Sequence, residues 1–133
     1  MALPMIATLA FGVVLLTGAY FLALAAMCLF APARARRFLL GLVGSASMHY
    51  LELSLRLLAG AAFLVHAPRM LAPGAFQAFG WLLLLTTAVL LLLPWRWHQA
   101  FARQMVPRAL PFLPVIGLAS LGLGVFVLVA AQG

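Results

Sequence analysis

Apolar residues run along this chain in four long blocks, and polar residues gather in the short gaps between them. Leu3 to Phe30 is the first block, about 28 residues, enough to cross a hydrocarbon core of roughly 30 Å with some tilt. Pro32 ends it. The second block climbs to Ala67 before Pro68. The third runs from about Ala75 to Leu93 and closes at Pro94-Trp95-Arg96-Trp97-His98. The fourth follows Pro107, Pro111 and Pro114 and continues to about Ala131, since proline is tolerated in a first helical turn. This pattern predicts helices over 4–31, 45–67, 75–93 and 110–131, joined by inner loops at 32–44 and 94–109. Phe38 to Val43 either lies along the headgroups or begins the second helix directly, and the second loop can fold as a short amphipathic helix. The expected architecture is one all-α membrane domain over 1–133, a four-transmembrane-helix bundle.

Composition agrees. Of 133 residues 68% are hydrophobic and 7% charged, where a soluble domain carries roughly a quarter charged residues. The net charge of +7 comes from eight arginines against one acid, Glu52. Arg34, Arg36 and Arg37 fall in the first loop, Arg96, Arg103 and Arg108 in the second, and only Arg69 in the turn on the other side. That bias places both loops inside and both termini on the outer (periplasmic) side of a bacterial inner membrane. The basic charge therefore points to anionic lipid headgroups and not to nucleic acid. Trp95 and Trp97 join the six loop arginines as membrane-interface anchors. A signal peptide would carry positive charge before its apolar core, whereas here the arginines follow it. Cys28, the lone cysteine, reads as a packing residue.

One stretch departs from this grammar. At about 100° per residue Ser45, His49, Glu52 and Arg56 fall within roughly 60° of one another on a helix. They form a polar stripe entering the apolar run Leu57 to Val65, with Glu before Arg in the favourable i,i+4 order. Insertion of a central charge costs about 2.5–3.5 kcal/mol, and each Leu, Phe or Val returns only about 0.3–0.6. Two charges exceed what the second helix offsets, so the pair should face the bundle interior. Matching depth alone, Tyr20 and Ser120 lie level with Arg56, and Thr86 and Thr87 level with Glu52. Either the pair fixes helix register, or the stripe binds a ligand. On the first reading the two charges satisfy each other, and loss of Glu52 alone should cost about 3–5 kcal/mol.

No metal cluster, phosphate loop or nucleophile motif is legible, and one acidic residue excludes two-carboxylate chemistry. His66 and His98 read as interfacial residues. No cofactor is expected, and the chain is not read as an enzyme. The first expectation is an accessory or scaffold subunit of a larger membrane assembly, with a membrane-protein partner or a homo-oligomer. The alternative is a small transporter or binder of an amphipathic or cationic ligand, using His49, Glu52 and Arg56. A four-helix protein with one embedded glutamate is similar in outline to the small multidrug resistance transporters. Those carry the glutamate in the first helix, which here has no acid, so their function is not carried over.

Small residues mark expected packing faces: Ala19-x-x-x-Ala23 in the first helix and Ser120-x-x-x-Gly124 in the last. Pro32-Ala33-Arg34-Ala35-Arg36 and Pro94-Trp95-Arg96-Trp97-His98 echo each other after equivalent helices. A tandem duplication of helix hairpins explains the echo, as do two independent loops under the same interface rules.

Overall fold

The computed structural model describes residues 2–41 and 46–133. Ser45, the first residue of the proposed stripe, lies outside them, and so does the side chain of His98. The chain folds as α1 (Ala2–Phe30), α2 (Pro32–Gly41), α3 (Ala46–His66), α4 (Pro73–Leu92), α5 (Trp95–Ala109) and α6 (Leu113–Ala131), with single 3₁₀ turns at Ala67–Arg69 and Leu110–Phe112. Four segments are long and apolar enough to cross a membrane: Leu3–Phe30, Ser47–Arg69, Pro73–Leu92 and Trp95–Ala131. Where loops were expected at 32–44 and 94–109, the structure has the amphipathic helices α2 and α5. Pro32 opens α2 and Pro94 caps α5, because a proline with no N–H to satisfy suits a first turn. In α2 the wholly buried Ala35 sits between exposed Arg34 and Arg36 and packs with Leu24, Cys28 and Leu113. Two arginine-bearing helices thus cover one end of the bundle.

The opposite end holds both termini and a larger buried cluster. Ala10 and Val14 of α1, Ala62 and Phe63 of α3, Phe76 of α4, and Val127, Ala130 and Ala131 of α6 form one buried cluster there. His66 crosses to the carbonyl of Ala131 at 2.9 Å, and the Leu71 amide donates to the carbonyl of Ala130 at 3.1 Å. The His66 bond meets a carbonyl at the C-terminus of α6, and the Leu71 bond adds a second donor to the Ala130 carbonyl, which also accepts from the Gly133 amide at 3.1 Å.

The two halves of the chain repeat. α1–α2–α3 and α4–α5–α6 are each a long apolar helix, an amphipathic helix and a second apolar helix that returns. The correspondence extends to contacts. α1 packs on α6 and α3 on α4, each pair crossing where two glycines meet. A Cβ on Gly124 would stand 3.0 Å from the carbonyl oxygen of Gly18 and 2.8 Å from Leu22. In the other seam a Cβ on Gly60 would stand 3.1 Å from the carbonyl oxygen of Gly80 and 2.9 Å from Leu84. Likewise Gly18 meets Leu128 as Gly80 meets Leu64. Adding 62 to residues of α1, or 64 to residues of α3, converts one seam into the other. The buried stripe His49, Leu53, Gly60, Phe63, Ala67 becomes Leu113, Gly117, Gly124, Val127, Ala131, all buried as well. The correspondence thus reaches the helix seams as well as the Pro-x-Arg segments, with two more residues in the second connection.

The repeat is broken in one respect. Val14 and Ala62 are small, and α1 packs closely on α3. Their counterparts are Phe76 and Phe126, which stack at 5.0 Å. The bulkier pair props α4 from α6, leaving an apolar crevice of about 190 Å³ lined by Phe21, Phe76, Phe79, Leu123, Phe126 and Val127.

Candidate functional site: the charged seam between α3 and α4

α3 presents its buried stripe to the bundle because Leu53, Gly60 and Phe63 recur at helical spacing, and Arg56 lies on the same line. The Gly60–Gly80 crossing brings the α4 backbone close, so that a long side chain one turn below the crossing reaches α4. Arg56 does so. Its Nε donates to the Thr87 hydroxyl at 3.0 Å, and its Nη2 donates to the Thr86 hydroxyl at 2.7 Å. Both threonines in turn donate to their own helix, Thr86 to the Leu82 carbonyl at 2.6 Å and Thr87 to the Leu83 carbonyl at 2.5 Å. Each hydroxyl is therefore oriented with its lone pairs towards the guanidinium. Thr87 is fully buried.

Glu52 is held differently. Its Oε1 stands 3.8 Å from Arg56 Nη1, beyond hydrogen-bond distance. Among the described residues this is the one polar contact recorded for the carboxylate. The Glu52 side chain keeps 31% of its exposure and Arg56 29%. Counting from Ala46 at about 1.5 Å per residue, Glu52 stands about 9 Å and Arg56 about 15 Å into the helix. The two charges thus meet at ion-pair distance in the i,i+4 order, and Arg56 has further partners in the threonines of α4. The threonines hold Arg56, and among the described residues Glu52 retains an open acceptor.

The other candidates separate. Tyr20, on α1, is half exposed and lies close enough to feel the charge of Glu52; its ring is 6.4 Å from that of Phe38 in α2. Thr86 and Thr87 do serve the stripe, but they serve Arg56 instead of Glu52, because an extended arginine reaches a turn away from its own level. Ser120 is buried on the α6 stripe between Gly117 and Gly124, which face α1. His49 is buried, its ring 4.9 Å from Tyr50 and 6.4 Å from Trp95. Trp95 is thus part of the packing, while Trp97 is 66% exposed. Arg34, Arg36, Arg37, Arg96, Arg103 and Arg108 are all exposed on α2 and α5.

Sequence reasoning misplaced one packing face and undervalued one residue. Ala19 and Ala23 are both exposed, and α1 meets α6 through Gly18, one position away. His66, read as an interfacial residue, is buried and ties α3 to the end of α6, with Phe11 at 4.9 Å from its ring. Among the described residues no cluster of three or more His, Cys, Asp or Glu could hold a metal ion. No protein-family model matches the chain, and no significant match was found among curated proteins or solved structures.

Proposed function

We propose that this protein is an accessory or scaffold subunit of a larger membrane assembly, lying in a bacterial inner membrane with its α2–α5 end inside and both termini outside. The supporting observation is Glu52, a carboxylate in an apolar span that is about one-third exposed and that the described residues leave without a hydrogen bond. Acyl chains cannot solvate such a group, so intramembrane charges face protein or a polar cavity. A neighbouring subunit supplies that cover. The arginines of α2 and α5 anchor the inner face to anionic headgroups. The chain acts by contact and not by bond chemistry.

Gentle detergent extraction from the native membrane, followed by native electrophoresis and identification of co-migrating protein and lipid, tests this reading. A defined complex well above the mass of the 14.2 kDa chain supports it; a monomer accompanied only by lipid refutes it. A second reading, capture of an amphipathic ligand, draws on the apolar crevice between α4 and α6. It gains if a small apolar molecule co-purifies with that monomer.

A further inference from the structure

The repeat supplies an internal control on the charged seam. In the α1–α6 seam the positions of Glu52, Arg56 and Thr87 are held by Ile116, Ser120 and Ala25. That seam closes around the same glycine crossing with no charge, and Ala25 and Ser120 are both buried in it. Helix packing of this type therefore does not need an arginine, a glutamate or a threonine at those places. One of two equivalent seams carries a charged group that the other shows to be dispensable for closure.

The chemistry left open is one-sided. Two guanidinium nitrogens of Arg56 donate to Thr86 and Thr87, while among the described residues Glu52 offers carboxylate oxygens with one contact at 3.8 Å. A complementary group must bring a hydrogen-bond donor, and beside a carboxylate in low dielectric a cationic donor is favoured. The approach is lined by apolar side chains that α3 leaves exposed on the adjoining face, Leu51, Leu55 and Leu58. A leucine ridge next to a single acceptor suits a helix that matches the ridge with its own side chains and the acceptor with one polar residue.

Resting on the assembly reading, we infer that Glu52 is the docking point for a transmembrane helix of a partner protein that presents a lysine-type cation at the depth of Glu52. Leu51, Leu55 and Leu58 are the ridge it packs along.

A poly-leucine transmembrane peptide carrying one central lysine serves as the probe, with matched peptides carrying leucine or glutamate instead. The full chain, labelled at its C-terminus and reconstituted in phosphatidylcholine bilayers, is titrated with each peptide by energy transfer. The lysine peptide is expected to associate about three- to thirtyfold more tightly than the leucine peptide. Glu52→Gln should reduce that preference to the leucine level while unfolding as the parent does. Equal association of lysine and leucine peptides overturns the inference, and so does a lysine preference that survives Glu52→Gln. Self-association of the chain alone that Glu52→Gln abolishes also overturns it, because the occupant is then a second copy. If any of these occurs while the native complex persists, the docking inference fails and the assembly reading stands. A lysine preference with no native complex has the opposite meaning.

Discussion

Replacing Thr86 and Thr87 together by valine should destabilise the protein more than replacing Glu52 by glutamine, although only the second change removes a charge. Valine matches threonine in shape, so the double variant deletes the two acceptors of Arg56 without opening a cavity. Interhelical hydrogen bonds in membranes average about 0.6 kcal/mol and reach about 1.7, and bonds to an ionised donor are roughly twice as strong as neutral ones. The pair is therefore worth about 2–7 kcal/mol. Glu52→Gln leaves both bonds intact and removes a partly exposed contact at 3.8 Å, a loss of about 0–1 kcal/mol for a pair so loosely held. The assay is reversible unfolding in mixed micelles, followed by tryptophan fluorescence and helicity. A cost above about 3 kcal/mol for Glu52→Gln, with less than about 1 kcal/mol for the threonine pair, would refute the reasoning. The two charges would then hold each other, as the sequence alone suggested.

The glycine seams give a matched set. Gly60→Ala and Gly124→Ala each place a Cβ within 3.1 Å of a neighbouring backbone oxygen and should each cost about 1–3 kcal/mol in the same assay. Gly12→Ala and Gly122→Ala meet nothing within 4 Å and should be neutral or gain up to about 1 kcal/mol from helix propensity. Replacing His66 by leucine removes its bond to Ala131 and should speed amide exchange at the end of α6 at a cost of about 1 kcal/mol. Cysteines introduced at Arg36 and Arg103 should resist an impermeant thiol reagent in intact cells while one at Gly133 reacts. Labelling of the two arginine helices from outside would reverse the topology.

The four spans were legible because each needs only length and apolarity, and the proline punctuation located their ends. Helical α2 and α5 were half legible: their arginines alternate with apolar residues, but prolines at 32, 94 and 107 read as breaks when they in fact open a first turn, cap a helix and occupy a tolerated interior place. Which face of a span packs was not legible from small residues alone. In α1 alanine and glycine occur on every side, so Ala19 and Ala23 look as suitable as Gly18. The repeat showed in sequence only as Pro-x-Arg, because the conserved features of the seams are glycine and leucine contacts in a background rich in both. Its register also shifts from 62 to 64 between α1 and α3. Thr86 and Thr87 were found by depth, and their true partner was displaced by the reach of the arginine side chain. The open carboxylate of Glu52 was not legible at all, since i,i+4 spacing permits an ion pair without fixing its length.

The claim that the charged seam serves a partner and not the fold is tested most directly by grafting the uncharged seam onto it. The repeat dictates the substitutions: Glu52→Ile, Arg56→Ser and Thr87→Ala together, the residues found at 116, 120 and 25. The triple variant is expressed in its native membrane, and its unfolding free energy and the mass of its complex are measured beside the parent. The expected result is a chain at least as stable as the parent, because no buried charge remains to be desolvated, that runs as a free subunit. A triple variant that unfolds would show that the charges are part of the packing; one that stays stable and remains in the full complex would show that the partner does not read them.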